Sequence, residues 1–285
     1  MIACAVVPTF VAPADAISWV RGRGTVGSAG RVDKLIVEMP PDPLIPTIAS
    51  GQFNDGQKGF FAQADLGNGA LRGRAFVNGG SGSANVNPVM GETITFNNQT
   101  GGPSSWNFSY DIDGTVQTGA TPFPVEQDFG TLGIFRTTFV QFAVHIFPGN
   151  TVGPTGSPDA WEQQLGSALF SQVEDVDGFP LSGSLQNFNA TLNDQISGTI
   201  PLQPGINTFD VVTILAVAGS IPSTTASSFD MNFLNTAAIS IESDVPFTSS
   251  SGVFLTGTNV IPEPAALTLV SGFPLVAGDL FRRRA

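Results

Sequence analysis

The chain is short of charge. Of its 285 residues only 12% are Asp, Glu, Lys or Arg, about half the usual share. Bases are the scarcer sign: 11 Lys and Arg stand against 23 Asp and Glu, for a net charge of −12. A nucleic-acid binder needs a basic face, and this composition cannot build one. A single cysteine, Cys4, excludes a disulfide scaffold. A single histidine, His145, excludes a His-rich metal centre and leaves any Ser-His-Asp chemistry to that one residue. Sparse charge beside 41% hydrophobic residues argues against disorder and suffices for a core. The load of 33 Gly and 21 Pro argues against a coiled coil or helical bundle.

What is present alternates with a period of two. Trp106, Phe108, Tyr110 and Ile112 interleave with Asn107, Ser109 and Asp111, which is the pattern of a half-buried strand. Val140, Phe142, Val144 and Ile146 line one face of another strand, with Gln141 and His145 opposite. Phe188, Ala190 and Leu192 interleave with Asn187, Asn189, Thr191 and Asn193. Residues 209–217 are apolar on both faces, as in a central strand. Further strands are expected near 17–28, 32–38, 58–63, 70–78, 92–97, 196–202, 236–242 and 251–256, with loops at 39–57 and 118–131. One short helix is expected near 158–170. Ser157-Pro158-Asp159 supplies its cap, and Trp161, Leu165, Ala168 and Leu169 share a face. The fold class is all-β: an antiparallel β-sandwich, jelly-roll-like, filling 17–259.

Charge is unevenly placed. Residues 17–74 carry a net +2, whereas 75–261 hold 15 acids against one base, Arg136. An acidic body of this kind is a solvated extracellular surface that resists self-association and attracts cations. Two short acidic stretches, Asp111-Ile112-Asp113-Gly114 and Glu174-Asp175-Val176-Asp177-Gly178, read as turns. Oxygens at i and i+2 before a glycine make Asp111, Asp113, Asp175 and Asp177 weak candidates for a structural Ca²⁺, although neither stretch has the acid an EF-hand needs at its twelfth position. No other cofactor is expected.

Other chemistry is thinly supported. Glu92, Glu126, Glu162, Glu174 and Glu242 are candidates for a paired-carboxylate hydrolase, but nothing nearby singles out two. Trp19, Trp106 and Trp161 could stack on sugars, though Trp106 and Trp161 sit on apolar faces that suit a core. Gly22-Arg23-Gly24 and the glycines of 69–73 lack the strand–loop–helix frame of a nucleotide site.

The two ends are the most informative. Residues 2–11 are almost wholly apolar, and Ala14-Asp15-Ala16 places small residues at −3 and −1 of a cut after Ala16. That is a signal peptide over 1–16, with Ala14 and Ala16 as its cleavage residues. The basic residue that normally precedes such a run is missing, as it would be were the segment truncated at its start. At the other end come Pro262-Glu263-Pro264, an apolar run over 265–281, and Arg282-Arg283-Arg284. A helix starting after the proline would cover ~25 Å, marginal against a ~30 Å bilayer core. The arginines would hold its end on the cytoplasmic side. Pro274 would kink this helix, and Asp279 lies near its end beside Arg282.

This tail closely resembles the PEP-CTERM sorting domain of exported proteins of Gram-negative bacteria. The resemblance covers 260–285, and the order of its three parts is specific. It implies that Pro262, Glu263 and Pro264 form a motif recognised by an exosortase-type membrane enzyme, with Arg282, Arg283 and Arg284 as the retention cluster. The stretches Phe233-Leu234-Asn235-Thr236-Ala237-Ala238-Ile239-Ser240 and Phe247-Thr248-Ser249-Ser250-Ser251-Gly252-Val253-Phe254-Leu255 look, more weakly, like the final strands of such proteins.

The expected protein is thus exported, held briefly at the inner membrane by its tail, then released to the surface or extracellular matrix. Its expected role is structural or adhesive and not enzymatic, with the processing enzyme and extracellular polysaccharide as partners. A carbohydrate-binding module and a secreted glycoside hydrolase are the alternatives.

Overall fold

The computed structural model describes residues 18–28, 31–38, 48–126, 138–152, 160–180, 182–222 and 225–255. Ala14, Ala16, Pro262, Glu263, Pro264 and Arg282 to Arg284 lie outside the described residues, as does the helix cap Ser157-Pro158-Asp159. No helix among the described residues is long and apolar enough to cross a membrane.

Sixteen strands occur among the described residues. In the first half of the chain they are β1 (Ser18–Ser28), β2 (Arg31–Glu38), β3 (Ile48–Asn54), β4 (Lys58–Asp65), β5 (Ala70–Gly80), β6 (Gly82–Val86), β7 (Val89–Asn98), β8 (Ser104–Thr118) and β9 (Phe123–Glu126). The second half adds β10 (Thr138–Pro148), β11 (Phe170–Asp175), β12 (Ser182–Leu185), β13 (Asn189–Leu202), β14 (Gly205–Ile221), β15 (Ser227–Ser243) and β16 (Phe247–Ser249). The second of the two large sheets runs β13-β8-β15-β5-β4-β3. The other begins β11-β10-β14 and continues through β6 and β7 to β1 and β2.

β6 and β7 form one bent strand. Both run antiparallel to β14 on one side and to β1 on the other. The break falls at Asn87-Pro88, where proline has no N–H to give. The ladder survives because the Pro88 carbonyl accepts from the Leu215 N–H at 3.1 Å. β16 takes over beside β7 where β1 stops, and β9 pairs with β12 in a separate ribbon.

The two sheets bury their facing sides against each other, which is the antiparallel β-sandwich expected from the alternation. Trp106, Phe108, Tyr110 and Ile112 point into the core, while Asn107, Asp111 and Asp113 between them are exposed. Trp106 stacks on Phe96 across the interface with centroids 5.4 Å apart. Tyr110, the one tyrosine of the chain, donates its hydroxyl to the Ile214 carbonyl at 3.3 Å. Burial pushes its phenol pKa well up, so it stays a donor. β14 is buried without interruption from Phe209 to Gly219. That continuous apolar run makes it a central strand, with β10 along one edge and the β6–β7 strand along the other.

Several expectations are corrected. Asp111 to Gly114 is no turn but the middle of β8, because the apolar alternation carries on through Val116. Gly114 is small there for packing: a Cβ would collide with the Phe233 ring. The loops expected at 39–57 and 118–131 contain β3 and β9. Both strands are short, and their turn residues hid them. Of the strand expected at 251–256, the described residues 251–255 form a turn, and the extended piece before it is Phe247–Ser249. The helix is a 3₁₀ helix, described over Ala160–Ser167, and it ends before 170. With 3.0 residues per turn, its faces do not follow the 3.6 period. Trp161 is buried, but Leu165 and Leu169 are 37% and 54% exposed.

We expect Gly114→Ala to lower unfolding stability by about 1–3 kcal/mol, the usual cost of overpacking. Pairing it with Phe233→Leu should recover part of the loss. Urea melts of the two single variants and the double variant check this. Purely additive losses would show that the two positions do not share the space.

Candidate functional site

The outer face of the second sheet is a polar surface. On β8 and β13 the register sets Asn107 opposite Thr199, Ser109 opposite Ser197, Asp111 opposite Gln195 and Asp113 opposite Asn193. The alternation that buries Trp106 to Ile112 turns all eight outward. Thr199 Oγ1 donates to Asn107 Oδ1 at 2.7 Å. Ser109 Oγ donates to Asp111 Oδ2 at 2.7 Å, and the Gln195 amide donates to both Ser109 and Asp111. On the neighbouring part of the sheet, Arg74 makes a two-point bond to Asp230, with N–O distances of 2.9 and 2.6 Å, above the Phe76 ring. The face offers hydroxyl, amide and carboxylate groups already linked to one another.

The four aspartates proposed for Ca²⁺ are not brought together. Asp111 and Asp113 stand on this outer face, whereas Asp175 ends β11 in the other sheet. Asp175 Oδ1 accepts from the Gln141 amide at 2.8 Å. Asp177 follows in the turn, and its N–H donates to Asp194 Oδ2 at 2.9 Å. Among the described residues no three His, Cys, Asp or Glu side chains converge on a metal-sized site.

The glutamates are also dispersed. Glu92 is buried inside the sandwich and accepts from Ser250 Oγ and the Ser251 N–H at 2.7 and 2.8 Å. Glu242 is exposed at the end of β15, Glu162 is exposed on the 3₁₀ helix, and Glu174 on β11 accepts from the Gln172 amide. The side chain of Glu126 lies outside the described set. Trp106 and Trp161 are core residues, and the side chain of Trp19 lies outside the described set. The exposed large hydrophobics of the described residues are Ile48, Leu165, Leu169, Val173 and Ile206, none of them aromatic.

The most unusual chemistry sits on the outer face of the first sheet. His145 was expected on a mixed face, but it is fully buried. The reason is a cover: Trp161 from the 3₁₀ helix stacks on the imidazole, with centroids 5.0 Å apart and planes 22° off parallel. Val152 and Phe147 join the same small apolar cluster. His145 Nδ1 lies 2.9 Å from Ser171 Oγ on β11, and among the described residues its Nε2 has no hydrogen-bond partner. The Trp161 indole N–H is likewise buried and unpartnered. Desolvation lowers the His145 pKa to about 4, so the ring is neutral at pH 7. A Ser–His pair is present, with Ser171 exposed and the imidazole beneath it fully buried.

Asp210 belongs to the same face and was not singled out from the sequence. It is fully buried in β14 and accepts from Thr93 Oγ1 at 2.6 Å and from the Thr151 and Val152 N–H groups at 3.0 and 3.1 Å. Burial raises its pKa, while those donors act the other way. The signal was available: one carboxylate inside the apolar run 209–217 needs donors, and those donors must come from a segment folded over it.

No protein-family model matches the chain, and no curated protein matches it. Among solved structures, it is similar to the enzymatically active domain of bacteriophage CBA120 tailspike protein 4. The identity is 8% and the TM-score 0.21, over 69% of this chain and 19% of that one.

The buried imidazole sets a pH dependence. Its folded pKa, about 4, lies below the ordinary 6.5. Between these values the unfolded chain binds a proton that the folded chain refuses, so stability falls as pH drops through that window. The loss is on the order of 3 kcal/mol. Asp210, with its raised pKa, acts with the opposite sign just above the ordinary carboxylate range. Chemical melts between pH 7 and 4 should show the decline, and His145→Gln should flatten it. An unchanged slope in the variant would assign the decline to other groups.

Proposed function

We propose that this is an exported structural or adhesive protein of a bacterial surface or extracellular matrix, sorted through its C-terminal segment. The observation that carries the reading is the tail itself: Pro262-Glu263-Pro264, an apolar run, then Arg282 to Arg284. A signal peptide over 1–16 takes the chain across the inner membrane. The apolar run spans as a hydrophobic helix until an exosortase-type enzyme acts at the motif. The acidic, jelly-roll-like sandwich is the part that is delivered. Its character supports the reading, since the outer face of one sheet is lined with hydroxyl and amide groups.

Carbohydrate binding is the second reading, and that same outer face favours it. Asn107, Ser109, Gln195 and Thr199 could exchange their mutual hydrogen bonds for those of a polysaccharide.

Intact-mass measurement on protein recovered from the host and from its medium tests the sorting. The released species is expected to lack residues 1–16 and the segment after Pro264. Replacing Pro262, Glu263 and Pro264 together by alanine should leave the tail in place and the protein in the membrane fraction. A full-length cytoplasmic species would overturn the reading.

A weak structural Ca²⁺ at Asp175 and Asp177, two carboxylates and not a cluster, belongs to the same reading. Bound Ca²⁺ raises Tm and a chelator reverses the rise. Identical melts with and without calcium would remove the ion from the reading.

A further inference from the structure

We propose that Ser171 and His145 form a nucleophile–base pair that transfers an apolar acyl group from a carboxylic ester to water by way of an acyl-Ser171. The strand register builds the pair, setting Ser171 on β11 directly opposite His145 on β10. The Ile146 carbonyl accepts from the Leu169 N–H at 2.8 Å, and the Val140 carbonyl from the Val176 N–H at 3.2 Å. Even-numbered residues of β10 therefore turn their backbone groups to β11, and odd-numbered ones, His145 among them, turn theirs to β14. In agreement, the Gly149 N–H donates to the Thr208 carbonyl just before the paired part of β14, at 2.8 Å. Ser171 and His145 are thus a non-hydrogen-bonded pair, the kind whose side chains approach more closely. Ser171 Oγ meets His145 Nδ1 at 2.9 Å. The other ring nitrogen is buried without a partner among the described residues, so the imidazole can exchange a proton only with Ser171. Trp161 fixes the ring plane by stacking on it. The desolvated ring is neutral at pH 7 and keeps a lone pair for a proton. Ser171 itself is exposed.

Two features of β11 suit the hydroxyl to an ester. It is the outermost strand of the first sheet, and Ser171, as the non-hydrogen-bonded partner of His145, points its own N–H off that edge. There the N–H can donate to a carbonyl oxygen as it gains charge during attack. The surroundings are apolar. Among the described residues five large hydrophobics are exposed, and three of them, Leu165, Leu169 and Val173, lie in the short stretch around Ser171. Single exposed hydrophobics are ordinary, but grouped ones mark a contact surface. Val173, two residues on, shares the outward face of Ser171. Glu174 and Asp175 end the strand and disfavour an anionic substrate. A neutral ester with an apolar acyl chain fits this surface. Ser171 Oγ bonds to its carbonyl carbon while the hydroxyl proton passes to Nδ1. The ester C–O bond then breaks, and the departing alcohol takes that proton. Water repeats the sequence, giving its proton to Nδ1, and releases the carboxylic acid with Ser171 restored. Water must reach Nδ1 beneath the acylated side chain, so deacylation is the slower step.

The test is covalent labelling of the chain purified from its host with an alkyl fluorophosphonate, which loses fluoride to an activated serine. Peptide mass spectrometry is expected to place one label, on Ser171. Ser171→Ala should abolish it, while Ser50→Ala, at an exposed serine of β3, should leave it unchanged. His145→Gln should slow labelling roughly a hundredfold. Should that variant lose its native melt, His145→Phe decides, because it keeps a ring under Trp161 and removes the base. With p-nitrophenyl octanoate the wild type should release a burst of p-nitrophenol followed by slower turnover, and prior treatment with this ester should block the label. The octanoate should react faster than the acetate, and Leu169→Asn with Val173→Asn should remove that preference. A wild type that takes no label, a label spread over several serines, or equal labelling of the Ser171→Ala chain would overturn the proposal.

Discussion

Everything in the first sheet is arranged around a strand that cannot face water on either side. β14 is buried from Phe209 to Gly219, and an antiparallel sheet ordinarily leaves one face wet. One side is met by the second sheet, through Tyr110, Trp106 and their neighbours. The other side must be met by chain that is not sheet. Asp210 is the device that holds it there. A carboxylate buried in the middle of β14 costs several kcal/mol unless it is fully bonded. Its bonds are to Thr93 on the adjacent strand and to the backbone of Thr151 and Val152 in the turn after β10. The same turn leads towards the 3₁₀ helix, which lays Trp161 over His145. Burial of the histidine, its low pKa and its unpartnered nitrogen are downstream of this cover.

Most of the frame was legible as alternation. β8 could be read residue by residue because its pattern is strict and its inward side chains are large. β14 could be read because it is apolar throughout. What could not be read is whatever depends on a second segment. His145 has the same neighbours in sequence whether its face is open or covered, and only the distant Trp161 decides. Asp113-Gly114 has the local signature of a turn, yet the strand runs through it because Gly114 makes room for Phe233. The 3₁₀ helix defeats the period: Trp161 and Leu165, spaced for one face of an α-helix, part when the turn tightens, and Leu169 lies beyond the helix end. Short edge strands such as β3 and β9 carry too few residues for a pattern to rise above their turns.

The two outer faces of the sandwich have opposite characters. On the first sheet His145 and Asp210 are buried and fixed beneath a cover, and the exposed Ser171 holds His145 Nδ1 from outside. On the second sheet the polar groups of β8 and β13 lie in water and bond to one another along the rows set by the register. Among the described residues, the second face presents its linked polar groups without any unfolding. This is why the delivered part of the proposed surface protein is best seen as a sheet with one side for polar partners.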